Sequence, residues 1–361
     1  MRILVVIPHY SGLGNSGSGE TILASQSEPI SRIAALNETI TCLHRNFGIV
    51  RNTFEGHKIQ NDNVLDIIIV TKKDHNLLGQ MGMDQNSYTT EFIDGQPMLM
   101  PFHAQRIFKE KAGKYDFYCL VEDDIAIHDP QFFAKLSWFQ NNFGSRTLLA
   151  PTRVETSFGG TLSKTVIDPV LNRGLYAPFR RNGQLERLSA RWNETEIEFE
   201  LPTNPHAASF FLTSEQLDHW MTQPSFGVHD TSWVGPLESG VTLSVGKVFD
   251  IYKAAVPDPF FLEVHHYDVR FASRHAPAGQ TCEPPRLLAI AQMACRELAK
   301  KGDAVNGFLN APAIAAESAR FADQQARIKK MEENENANAN SIHWLQKKLT
   351  RKVLQRLKLR K

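Results

Sequence analysis

Short apolar runs punctuate the first half of the chain. Ile3–Ile7 (ILVVI), Asp66–Thr71 (DIIIVT), Phe117–Val121 (FYCLV) and Thr147–Ala150 (TLLA) have no polar alternation inside their apolar stretches. That is the pattern of strands buried on both faces. Between them the period lengthens. Pro29–Phe47 places Ile33, Leu36, Ile40, Leu43 and Phe47 at helical spacing and stops at Gly48. Pro101–Ala112 predicts a short helix with proline in its first turn and Gly113 past its end. Phe132, Phe133, Leu136 and Phe139 line a further helix, with Asp129 as its cap and Gly144 after it. Strands alternating with helices predict an α/β fold with a mostly parallel sheet flanked by helices.

From Glu155 to Asn204 the pattern loosens around Gly159-Gly160 and Asn172-Arg173-Gly174, and this stretch is expected to cover one face of an active site. Order returns with a strand at Ala207–Leu212, then a helix opened by the capping box Thr213-Ser214-Glu215-Gln216. A helix is predicted from near Pro236, a strand over Phe260–Val264, and a helix over Pro285–Lys301 closed by Gly302. Residues 314–331 carry a helical pattern and 332–340 (EENENANAN) a polar linker. In 341–361, Ile342, Leu345, Leu349, Val353 and Leu357 form the apolar stripe of a basic amphipathic helix. The expected divisions are therefore 1–150, 151–302 as the second half of the same domain, 303–340 and a helical extension at 341–361.

The 361 residues, 42% hydrophobic and 22% charged, exclude a collagenous or wholly disordered chain. The formal charge of +1 is a cancellation. Residues 346–361 hold eight Lys or Arg and no acid, leaving 32 basic and 39 acidic residues before them, a net of −7. An acidic body argues against nucleic acid as a partner. The basic stripe of 342–361 predicts contact with an anionic membrane surface, with Trp344 at the interface. Four cysteines without a CxxC pair point to reduced thiols. The short apolar run of MRILVVIPHY reads as a first strand and not a signal peptide. No segment approaches the roughly 20 apolar residues of a membrane span. A cytoplasmic protein, peripheral at the inner membrane face, is expected.

The sharpest chemical signal is Tyr115–His128, YDFYCLVEDDIAIH. A buried strand delivers Glu122, Asp123 and Asp124 to its C-terminal end, the edge where open α/β sheets bind ligands. Three crowded carboxylates call for a neutralising cation, and hard oxygen ligands suit Mn²⁺ or Mg²⁺. Gly12-Leu13-Gly14-Asn15-Ser16-Gly17 imitates a dinucleotide-binding fingerprint, but Pro8–Ser11 separate it from the strand and no helix follows directly. NAD binding is therefore not expected.

The stretch His103–Asp124, a helix, an Ala112-Gly113-Lys114-Tyr115 turn, an apolar strand and then EDD, resembles the GT-A nucleotide-sugar glycosyltransferases with their acidic DxD motif. The resemblance implies a GT-A-like sheet and transfer of a sugar from a nucleotide-diphosphate donor, a UDP-sugar first, to a glycan or lipid-linked acceptor, as in surface polysaccharide synthesis. It implies that Asp124 binds the metal with Glu122, and that Glu122 and Asp123 also contact ribose, donor sugar or metal-bound water. Such enzymes often take a further ligand from a late strand. In Phe260–Asp268, strand alternation sends His265 and His266 to opposite sides, and His266 is the choice. For an inverting transfer the base would come from Asp230–Gly240, with Glu238 ahead of Asp230. Pro8 and Tyr10 would cradle the nucleobase, and His103 and Arg106 could reach the nucleotide from their helix. Two other readings compete: a nucleotidyltransferase, although Ser11–Gly19 lacks the Lys or Arg its phosphate loop would carry, and a non-catalytic nucleotide- or carbohydrate-binding protein.

Overall fold

β1 (Arg2–Pro8) buries every residue from Ile3 to Ile7, as its unbroken apolar run requires. The computed structural model describes residues 1–11, 29–54, 57–158 and 162–267. All of these lie within the compact unit Met1–Ala294. β1 is the middle of a five-stranded sheet. It pairs in parallel with β4 (Val64–Thr71) and β6 (Phe117–Val121). β5 (Thr89–Phe92) extends the sheet in parallel beyond β4, and β13 (Ser209–Thr213) closes the other edge antiparallel to β6. A hairpin, β2 (Arg51–Phe54) and β3 (His57–Gln60), stands apart from it.

Strand alternation divides the core in two. Ile3, Val5 and Ile7 pack with Leu36, Ile40, Leu43 and Phe47 of α1 (Pro29–Phe47) and with Phe132, Phe133 and Phe139 of α3 (Phe132–Phe143). Leu4 and Val6 pack on the other face with Ala104, Ile107 and Phe108 of α2 (Met100–Glu110) and with Leu217 and Trp220 of α5 (Ser214–Met221). The predicted α/β class, a mostly parallel sheet flanked by helices, is what the chain adopts.

Two smaller sheets lie beside it. One runs β10 (Leu162–Val166), β9 (Thr152–Phe158), β15 (Glu263–His266), β7 (Ile125–Ala126); the other runs β11 (Arg187–Trp192), β12 (Thr195–Glu200), β14 (Asp250–Ala254), β8 (Thr147–Leu149). Segments before and after residue 150 share all three sheets, through β6–β13, β7–β15 and β8–β14. Between them come α4 (Arg173–Tyr176), α6 (Pro236–Glu238), a π-helical turn at Ser239–Leu243 and α7 (Ser244–Gly246).

Three expectations need correction. Residues 155–204 are not a loose cover but contribute to β9–β12; β9 lacks an apolar run because it buries the polar Thr152, Arg153 and Glu155, and β10–β12 because they bury at most alternate positions. The strand expected at Phe260–Val264 starts at Glu263, because Phe260–Leu262 form the turn ahead of it. Asp129 does not cap α3; its carboxylate accepts the Gln131 N–H at 2.8 Å and Lys135 Nζ at 2.7 Å, and the helix starts at Phe132. The capping box at Thr213 and Gln216 is present as expected. The Gly12–Gly17 loop, the helices expected at 285–301 and 314–331, the linker and the basic tail fall outside the described residues.

Candidate functional site

Because β1, β4 and β6 are parallel neighbours, their carboxyl ends open onto one edge. Leaving β6, the Glu122 N–H donates to Ala208 O at 3.0 Å and the Ile125 N–H to Glu122 O at 3.2 Å, so the three acids form a tight corner before β7. Ala208, fully buried, holds a left-handed φ of 52° there. For a residue with a Cβ that costs about 1 kcal/mol, strain of the kind found at functional corners.

The corner sends its carboxylates into three different environments. Asp123 turns inward. Its Oδ2 accepts from His9 Nδ1 and from an Arg32 Nη, both at 2.6 Å, and its carbonyl accepts Thr39 Oγ1 at 3.4 Å. The Leu77 N–H donates to His9 Nε2 at 3.2 Å, which leaves the His9 proton on Nδ1, facing Asp123. Asp123 thereby ties the ends of β1, β4 and β6 to α1. Glu122 is pushed up to about 8, by burial first and then by Asp124, with Glu238 adding to the push and Arg153 and His266 opposing it.

Asp124 faces His266, whose Nε2 lies 3.4 Å from Asp124 Oδ2. β15 pairs antiparallel with β7, setting His266 opposite Ile125 and His265 opposite Ala126. Alternation turns His266 inward, while His265 accepts the Thr156 N–H at 3.1 Å through Nε2. On its far side His266 Nδ1 meets Oε1 of the fully buried Glu155 at 2.8 Å. Burial would lower its pKa, yet Asp124 and Glu155 overcome that and raise it to about 9. The ring thus has a carboxylate at each nitrogen, Glu155 at Nδ1 and Asp124 at Nε2.

Glu238, at the end of α6, completes the acidic cluster: its charge raises Glu122, and its Oε2 is buried with no hydrogen-bond partner among the described residues. The chain can bring it there because Gly235 has no side chain; a Cβ at that position would lie 2.7 Å from Glu238 Oε2. Arg153, whose charge opposes the rise at Glu122, is held by Asp168 at 2.7 Å, and Lys253 reaches the other oxygen of Asp168 at 2.7 Å. His206, bonded to Thr242 at 2.8 Å, is pushed well below its usual range by burial and by Arg153, so it stays neutral.

The remaining predicted residues lie in other company. Pro8 ends β1 at the same edge, and Tyr10 stacks on His75 with ring centroids 5.6 Å apart and planes 8° from parallel. His103, on α2, is held below its usual range by burial and by His229. Arg106 is engaged by Glu91 and Glu110. Asp230 pairs with Lys247 and accepts the Ser232 N–H at 2.9 Å, which holds it down at about 2 and makes it a weak base. Four residues of the site were not singled out from the sequence: Arg32, Glu155 and Arg153, which carried no local signal, and His9, which had only its place in the loop after the first strand. Each matters through a partner distant in sequence, 114 residues away for His9 and 111 for Glu155.

No family model matches the chain, and no curated protein matches it. Among solved structures, it is similar to mouse xyloside xylosyltransferase 1 in its apo form, at 10% identity and a TM-score of 0.34, over 74% of this chain and 97% of that one. It is also similar to CMP:2-keto-3-deoxy-manno-octonic acid synthetase complexed with CTP, at 10% identity and a TM-score of 0.30, over 82% of this chain and 99% of the other. Likenesses this remote carry no activity across to the chain.

Proposed function

We propose that the chain is a metal-dependent glycosyltransferase that moves a sugar from a nucleotide-diphosphate donor, a UDP-sugar first, to a glycan or lipid-linked acceptor. The observation that carries this reading is His266, set between Glu155 and Asp124 at the carboxyl edge of the sheet. A carboxylate on one imidazole nitrogen with the other aimed at a second carboxylate is the arrangement that orients a metal-ligating histidine. The donor set fits a hard or borderline divalent cation, Mn²⁺ or Mg²⁺, and Glu238, whose Oε2 is buried with no hydrogen-bond partner among the described residues, adds to the negative charge that such a cation would offset.

Asp124, Glu122 and Nε2 of His266 would hold the cation, which when bound offsets the negative charge that develops on the departing nucleoside diphosphate. Glu155 keeps a proton on Nδ1 of His266 and so leaves Nε2 for the site. Asp123, occupied by His9 and Arg32, acts as the brace of the corner and not as a contact to the donor. Glu238 is the base for the acceptor hydroxyl, since Asp230 is committed to Lys247. Pro8 and Tyr10, with His75 stacked beneath the ring, offer a surface at the same edge for the nucleobase. The basic stripe of 342–361 would bring this site to an anionic membrane surface, where a lipid-linked acceptor resides.

Calorimetry of the full chain with UDP, with and without Mn²⁺, tests the reading, followed by UDP release from a panel of UDP-sugars. UDP binding should depend on Mn²⁺, and Asp124→Ala should weaken it about tenfold or more. Binding and turnover untouched by chelator and by that substitution would remove the mechanism. Release of pyrophosphate from a nucleoside triphosphate would move the assignment to nucleotidyl transfer.

A further inference from the structure

α1 carries Glu38 and Cys42 one turn apart, on the face that meets the segment leaving β7. There Cys42 Sγ lies 3.3 Å from Glu38 Oε1 and 3.4 Å from His128 Nδ1, and the three ligand atoms fall within 4.8 Å of one another. With Zn–S near ~2.3 Å and Zn–N or Zn–O near ~2.0 Å, neighbouring ligands around a tetrahedral zinc stand about 3.5 Å apart. The two short edges of the cluster therefore have the spacing of a tetrahedral site already.

We propose that Glu38, Cys42 and His128 form a second metal site, for Zn²⁺ or a similar borderline cation, distinct from the one at Asp124. Thiolate, imidazole and carboxylate together select a softer ion than the all-oxygen and imidazole set of the first site. The surroundings supply what the ligands need. An Arg45 Nη donates to Cys42 Sγ at 2.9 Å, where a guanidinium offsets the negative charge of a metal-bound thiolate. Tyr267 Oη lies 3.3 Å from His128 Nε2, a partner that would keep the proton on Nε2 and leave Nδ1 for the metal. Cys42 is fully buried whereas His128 is exposed, so an ion would enter from the His128 side. The described residues supply three ligands, and a tetrahedral ion would take one more donor. The role that follows from its place is mechanical: it would clamp α1 to the chain just after the EDD corner, since Thr39 of the same helix already bonds Asp123 and Asn46 Nδ2 donates to Ile127 O at 2.8 Å.

Cobalt substitution reads the site without any activity assay. The full chain, stripped of metal and titrated with Co²⁺, should develop a thiolate-to-cobalt charge-transfer band and the strong visible bands of a four-coordinate ion, bleached by Zn²⁺. Cys42→Ser should abolish the charge-transfer band, and His128→Gln, at an exposed position, should weaken Co²⁺ binding about tenfold or more. Asp124→Asn should leave the band in place, which separates this site from the first. Zn²⁺ should raise the thermal midpoint of the parent protein and not that of the His128→Gln variant. Absence of a charge-transfer band in the parent chain, its survival in Cys42→Ser, or its loss in Asp124→Asn would overturn the assignment.

Discussion

Asp168 shows how much of the site rests on a residue that touches none of its acids. It accepts from Arg153 Nε and from Lys253 Nζ, all three side chains being at most 9% exposed. Burial by itself would raise its pKa, but Lys253 and then Arg153 hold it below the usual 3.8. A carboxylate depressed by folding stabilises the native state above its unfolded value, and that contribution is lost as the pH falls through the folded value. Asp168→Asn would leave two buried cations without a counter-charge, at a cost of about 3–5 kcal/mol. Urea unfolding at neutral pH should show that loss, and the gap between parent and variant should narrow below about pH 4. A gap that does not change with pH would mean that the ion pairs are not its source. The same logic separates the three consecutive acids: Asp123 is paired with His9 and Arg32, Asp124 faces His266, and Glu122 is pushed up to about 8 by burial and then by Asp124.

At the scale of elements, Glu238 depends on the succession of α6, a π-helical turn and α7. The turn is anchored by Ser239, whose Oγ accepts the Trp233 N–H at 3.1 Å and donates to Trp233 O at 2.6 Å. It also needs close passage to α2: a Cβ on Gly240 would stand 2.8 Å from Pro101 Cβ and 3.3 Å from the ring of Phe102. Gly240→Ala should therefore lower stability by about 1–3 kcal/mol through overpacking, and, if Glu238 is the base of the proposed transfer, should slow that transfer as well by shifting it. Paired unfolding and initial-rate measurements decide it; parent-like values in both would show the approach to be looser than described. π-turns of this kind recur at functional sites because one extra residue re-aims its neighbours.

At the scale of the molecule, no helix of the described residues is long and apolar enough to cross a membrane, and the eight positive charges of 346–361 oppose the −7 of everything before them. Deleting 341–361 should abolish pelleting with anionic liposomes at low salt, and high salt should release the parent chain as well. Equal pelleting of both forms would discard the tether. The elements that the sequence alone determined are those whose burial is two-sided or strongly periodic. β1, β4 and β6 show unbroken apolar runs and α1 shows 3.6-residue spacing, because local chain geometry dictates which positions meet the core. The hairpins of β9–β12 escaped, since β9 buries polar residues such as Arg153 and Glu155 and β10–β12 carry only a weak alternation. The EDD corner was legible as well, being three adjacent residues at a strand end. What only tertiary structure decided is the division of labour among those acids and the partners that enforce it. His9, Arg32, Glu155 and Arg153 meet them across sheet pairings that join distant parts of the chain, and electrostatic environment is a property of positions in space that a linear spacing cannot express.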